Sequence, residues 1–148
     1  MEEKLREMGL RLEGDFTLKS GEQSSIFWGV MKLFGYPQWV RIEAMREWIY
    51  KIGLYRPNNL VGIQTGGWQL ALDIGSVKCL DVYVTDKYTT TLGHNRRTVV
   101  VDDVITTGRT IQGYLGPETV AIAVLVNRSG LSELNGLPIV TGIFADRV

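Results

Sequence analysis

The sequence predicts a single-domain α/β fold, with a central, mostly parallel sheet flanked by helices and a small hairpin near the amino terminus. Three observations predict it. Short apolar runs at 60–64, 98–101, 119–126 and 139–144 lack polar alternation, as expected of strands buried on both faces. Helical or turn-forming stretches separate those runs, the order that builds a parallel sheet. The chain has 148 residues, 45% of them hydrophobic and 22% charged, which suits one core.

The elements follow in order. Residues 2–8 form an amphipathic stretch closed by Gly9. Residues 15–20 and 24–28 read as two strands around the turn pair Ser20-Gly21. Pro37 suits a helix start, and Trp39, Ile42, Met45, Ile49 and Ile52 then recur at helical spacing, with Gly53 as a stop. After the breaker Pro57-Asn58-Asn59 comes the strand 60–64. Gly66-Gly67 leads into a helix over 68–74, and 79–84 is a further strand. Residues 86–97 are polar and irregular, the mark of a loop. The strand 98–101 ends in two aspartates, and a short helix is expected after Gly108. The last two strands lie at 119–126 and 139–144.

Sixteen basic residues balance sixteen acidic ones. No basic excess suggests a nucleic-acid partner, so an anionic ligand must be held by local geometry rather than by a global field. Cys79 is the only cysteine, which rules out an intrachain disulfide and fits a reducing, cytoplasmic setting. The opening MEEKLREMGL lacks the basic-then-apolar order of a signal peptide, and no apolar run approaches the roughly 20 residues a membrane span needs.

The segment with the strongest chemical character is VVVDDVITTGRT, residues 99–110. An apolar strand delivers Asp102 and Asp103, and small and hydroxylated residues follow. Free backbone N–H groups at a helix start suit a phosphate dianion. Thr106, Thr107 and Thr110 add hydroxyl donors, and Gly108 lets the backbone come close. The aspartates would repel a phosphate. They suit a sugar diol, directly or through Mg²⁺. An ordinary N-cap explains one Asp or Thr. It does not explain two adjacent carboxylates and three threonines within nine residues. The phosphate motifs G-x-x-x-x-G-K-[ST] and G-x-G-x-x-G are absent.

This segment resembles the 5-phosphoribosyl-1-pyrophosphate (PRPP) signature of the type I phosphoribosyltransferases. The resemblance implies that Asp102 and Asp103 hold the ribose hydroxyls. It also implies that Thr106, Thr107, Gly108, Arg109 and Thr110 cradle the 5-phosphate. Val61-Gly62-Ile63-Gln64-Thr65-Gly66-Gly67 is similar to the family's pyrophosphate loop, which implicates Gln64, Thr65, Gly66 and Gly67. Residues 15–21 and 24–28 resemble the amino-terminal hairpin of orotate phosphoribosyltransferases, which gives Lys19 and Phe27 a place near the base. The plainer alternatives are a solvated lysine and a core phenylalanine, and from sequence alone Phe27 is expected in the core. VLVNRSG, residues 124–130, resembles the turn that presents an arginine to the orotate carboxylate. Arg128 fits physically, because a guanidinium matches a carboxylate bidentately.

The resemblance implies an enzyme that transfers phosphoribose from PRPP to a nucleobase, orotate before a purine, with Mg²⁺ as cofactor. It implies a hood built partly from residues 1–36 over a core of 37–148, and a homodimer. Trp28, Phe34, Tyr36 and Trp39 are candidates either for an interface or for the core. Residues 85–97 depart from the family pattern: they are short and do not reproduce its arrangement of an arginine, lysines and a histidine-glycine pair. Lys87 and His94 are the candidate substitutes, Lys87 as a catalytic residue. That departure leaves a rival reading open, a PRPP or nucleotide sensor without catalysis.

Overall fold

The computed structural model describes residues 1–18, 21–85 and 96–145. Lys19, Lys87 and His94 lie outside the described residues. The chain opens with helix α1 (Glu2–Glu7) and an antiparallel pair, β1 (Arg11–Thr17) and β2 (Gln23–Trp28), which forms a sheet of its own. A 3₁₀ helix (Val30–Gly35) leads to α2 (Gln38–Gly53). Then come β3 (Asn59–Ile63), α3 (Gly66–Lys78), β4 (Asp81–Thr85) and β5 (Thr98–Ile105). The chain continues through α4 (Arg109–Gln112), β6 (Thr119–Asn127), β7 (Glu133–Leu134) and β8 (Leu137–Phe144).

The main sheet has the order β4-β3-β5-β6-β8-β7. Its first five strands pair in parallel, and only the short β7 runs antiparallel to β8. Successive residues of the central strands face opposite sides, and both sides are buried. Leu60, Val99, Val101, Ala121 and Ala123 pack beneath α2 and α3, against Met45, Trp48, Ile52, Leu70 and Ile74. Val61, Val100, Ile122 and Val124 form a second cluster with Ile111, Tyr114 and Leu134. This explains the runs without alternation. The two covers are unequal, however: two long helices on one face, four-residue α4 and short β7 on the other.

A buried ion pair joins the two long helices. Arg41 donates from Nε and Nη2 to the two carboxylate oxygens of Asp73 at 2.8 and 2.9 Å, and from Nη1 to the Tyr36 carbonyl. Asp73 is 2% exposed, so the bidentate geometry is what makes its burial tolerable.

Several boundaries differ from expectation. β1 starts at Arg11, ahead of the expected 15–20, because β2 pairs as far back as Arg11↔Trp28. The helix after Gly66 runs to Lys78, where Cys79 caps it in the left-handed conformation and delays β4 to Asp81. The buried face of α2 is Ala44, Met45, Trp48, Ile49 and Ile52, whereas Trp39 is 73% exposed at its first turn. Trp28 is enclosed, and Phe34 and Tyr36 pack partly against the core. No helix among the described residues is long and apolar enough to cross a membrane.

Candidate active site

Parallel sheets place ligands at the carboxyl ends of their strands. Here the ends of β3, β5 and β6 open into a cavity of about 440 Å³. Its wall holds Gln64 from β3's end, the run from Asp102 to Ile111, and Arg128 after β6. The hairpin and the turn beyond it close the opposite side with Thr17, Leu18, Phe27, Trp28 and Met31.

The strand end differs from the one expected. β5 continues through both aspartates to Ile105, because β6 pairs with it as far as Asn127. Asp102 and Asp103 therefore lie within the strand rather than at its last residues. Each anchors the backbone ahead of it: Asp102 Oδ1 accepts from the Asp103 N–H at 2.8 Å, and Asp103 Oδ1 accepts from the Val104 N–H at 2.8 Å. Asp102 is 8% exposed and Asp103 is half-buried, and both line the cavity.

Thr106, Thr107 and Gly108 form the loop beyond, and Arg109 and Thr110 open α4. Gly108 sits at φ +86°, a conformation that costs glycine little, and a Cβ there would come within 2.9 Å of Leu134 Cδ2. β7 thus props the loop from outside. The helix that follows has only four residues. A helix of that length has little macrodipole, so any anion is held by N–H groups of the turn and threonine hydroxyls.

Of the four loop residues expected at β3's end, Gln64 lines the cavity. The Gln64–Thr65 peptide is cis. Gly66 and Gly67 lie at the start of α3, pressed against β5. A Cβ on Gly66 would reach Asp103 Oδ2 at 2.5 Å, and one on Gly67 would collide with the Val101 carbonyl and sit 2.8 Å from the Asp102 Cα. The pair of glycines lets α3 begin directly behind the two aspartates.

Arg128 is a buried residue, not the surface arginine a turn would suggest: it is 8% exposed. Nη1 donates to the Ile26 carbonyl at 3.1 Å and Nη2 to Ser24 Oγ at 2.8 Å, while the Ser24 hydroxyl donates to the Ile26 carbonyl at 2.7 Å. The arginine thereby fastens β2 to the sheet. Asn127 shapes the turn behind it, accepting from the N–H and hydroxyl of Ser129 and donating to the Leu131 carbonyl and Thr141. Phe27 is 38% exposed on the cavity wall and stacks on Phe16 with centroids 5.3 Å apart. It is not a core residue. As site residues Ser24 and Trp28 escaped the sequence reading, which offered Trp28 only for an interface or the core. The signal that marks them is the alternation along β2, which buries Ser24, Ile26 and Trp28 together.

No family model matches the chain. It is 30% identical over 145 residues to the orotate phosphoribosyltransferase of Caldanaerobacter subterraneus subsp. tengcongensis, a match covering 86% of this chain and 76% of that protein. The chain belongs to the type I phosphoribosyltransferase family. Within this family of pentosyltransferases, its fold superposes on the orotate phosphoribosyltransferase of Aeropyrum pernix with a TM-score of 0.73 and 29% identity, over 94% of this chain and 92% of that one. The UMP synthase of Leishmania donovani matches with a TM-score of 0.77 and 25% identity over 94% of this chain, which spans only 35% of that longer protein. The type I phosphoribosyltransferase fold thus accounts for the sheet order and for the cavity at its carboxyl edge.

Proposed function

We propose that the chain transfers phosphoribose from PRPP to orotate and releases pyrophosphate. One observation carries this reading: the paired aspartates and threonine loop share one cavity with a buried arginine. A sugar phosphate on one side and a planar carboxylate on the other would fill it.

In this reading Asp102 and Asp103 accept hydrogen bonds from the ribose hydroxyls. The loop from Thr106 to Thr110 holds the 5-phosphate, and Gln64 faces the pyrophosphate. The planar guanidinium of Arg128, at the cavity wall, matches the orotate carboxylate bidentately, and Phe27 offers a face to the ring. Lys19 at the base and Lys87 as a catalytic group belong to the same proposal.

The bond from ribose C1 to pyrophosphate breaks, a bond from C1 to the base nitrogen forms, the electron pair leaves with pyrophosphate, and the proton of the base nitrogen passes to solvent. Positive charge builds on the ribose ring, beside the two carboxylates. The protein acts by positioning, charge stabilisation and exclusion of water. Among the described residues no group of three or more His, Cys, Asp or Glu could cage a metal. The two carboxylates at the cavity wall fit an Mg²⁺ held mainly by substrate oxygens and water. When bound, Mg²⁺ supplies charge neutralisation for the leaving pyrophosphate.

A steady-state assay with PRPP, Mg²⁺ and a panel of bases tests the proposal. Pyrophosphate release that depends on orotate supports it, and release only with a purine moves the substrate. PRPP binding without turnover favours the sensor, the reading that the atypical sequence of 85–97 supports. A homodimer and a cytoplasmic setting complete the proposal, and light scattering on the purified chain checks the first.

A further inference from the structure

Two of the four tryptophans are buried, and they differ in one respect. The Trp48 indole donates to the Val140 carbonyl at 3.0 Å. The Trp28 indole is 3% exposed, and its Nε1 is sealed from solvent with no acceptor in reach. A buried donor left without a partner is costly, and such groups in folded proteins call for an explanation. Phenylalanine would fill most of the same space without the penalty. Trp28 borders the cavity, on the same face of β2 as Ser24, the residue that Arg128 grips.

We infer that Trp28 is a specificity-determining residue for the acceptor base, its indole N–H donating to a ring carbonyl oxygen while Arg128 holds the base's carboxylate. The inference rests on the orotate reading above. Because Nε1 is sealed in this structure, the bond requires a small shift of β2 as the base enters. The hairpin is a separate two-stranded sheet, so it can shift without breaking the main ladder. A base with an amino group at that edge would set donor against donor and be rejected, since a site built to hydrogen-bond one group discriminates strongly against a mismatch.

Two variants and one spectrum test this on the full chain. Trp28→Phe removes the donor and some volume. Site-specific replacement of Trp28 by benzothienylalanine exchanges the N–H for sulfur at nearly constant shape. Both are expected to raise the orotate KM by roughly three- to tenfold, the range of one neutral hydrogen bond, with the PRPP Kd unchanged. In a ¹H–¹⁵N spectrum, the Trp28 indole peak, assigned by its loss in Trp28→Phe, should move downfield when orotate joins PRPP. The satisfied indole of Trp48 should not. An altered PRPP Kd in Trp28→Phe marks a packing defect, and the sulfur analogue then decides. If orotate is turned over but the analogue leaves its KM unchanged, or the Trp28 peak stays still, the inference falls and the orotate reading stands. If the native chain binds PRPP yet neither binds nor consumes orotate, both fall together.

Discussion

The two ends of the cavity are built by different means. The phosphate end is one continuous run from Asp102 to Thr110, supported from behind by the backbone of Gly66 and Gly67. The base end joins residues far apart in sequence: Arg128 meets Ile26 and Ser24 across separations of 102 and 104 residues. Backbone geometry fixes the first end, and side-chain hydrogen bonds fix the second. The first should therefore fail abruptly when altered, and the second should degrade by degrees.

The harshest break is Gly67→Ala. The added methyl meets the Val101 carbonyl and the Asp102 Cα, both backbone, so α3 or β5 must move. We expect a loss of about 3 kcal/mol in stability, the upper end of over-packing costs. A thermal melt should show a Tm several degrees lower, with PRPP binding lost as the aspartates shift. An unchanged melt would mean that α3 relaxes freely, and the phosphate end would not be rigid.

Next comes Asp103→Asn. It keeps size and the contact with the Val104 N–H while removing charge. A hydrogen bond to a charged group contributes about 1.5–3 kcal/mol, so PRPP affinity should fall by one to two orders of magnitude with the melt little changed. Calorimetry with PRPP measures this directly, and an unchanged Kd would exclude Asp103 from ribose binding.

The contrast between the ends also explains what the sequence discloses. The phosphate end was legible because its glycines, acids and threonines are consecutive and their chemistry is local. Its exact frame was not: β5 runs on to Ile105 because β6 supplies a parallel partner, and no residue between 98 and 105 announces that. β7 was missed despite a local signal. Asn135 and Gly136 both take positive φ, as an Asn-Gly hairpin turn demands, but the strands beside them are too short to show alternation. The long helix α2 was read from its period, though Trp39 at its start lies beyond the packed interface. At the base end, Arg128 was legible as a residue and illegible as a clamp. Its burial depends on β2, which no spacing in the sequence ties to it.

Arg128→Ala tests the base end as a whole. It deletes the proposed carboxylate partner and releases β2 from the sheet. We expect a loss of about 2 kcal/mol in orotate binding, within the range for charged hydrogen bonds, so KM for orotate should rise about thirtyfold. The PRPP Kd should stay close to native, because Nη1 and Nη2 of Arg128 bond to β2 and its backbone N–H, which holds the Ile105 carbonyl, survives the change to alanine. If both substrates lose affinity equally, the two ends are not separable.

Ser24→Ala is the gentlest break and the sharpest on mechanism. The Ser24 hydroxyl accepts from Arg128 Nη2 and donates to the Ile26 carbonyl, yet Ser24 is not among the residues that border the cavity. Its removal takes away one of the hydrogen bonds by which the hairpin orients Arg128, so the guanidinium is held less firmly. We expect a loss of about 1 kcal/mol, seen as a roughly fivefold rise in orotate KM with kcat and the PRPP Kd unmoved. Ser24→Thr, which restores the hydroxyl, should recover most of it. Recovery by Thr would show that Ser24 acts through the arginine it holds. Equal defects in Ala and Thr would instead assign the effect to packing on the buried face of β2.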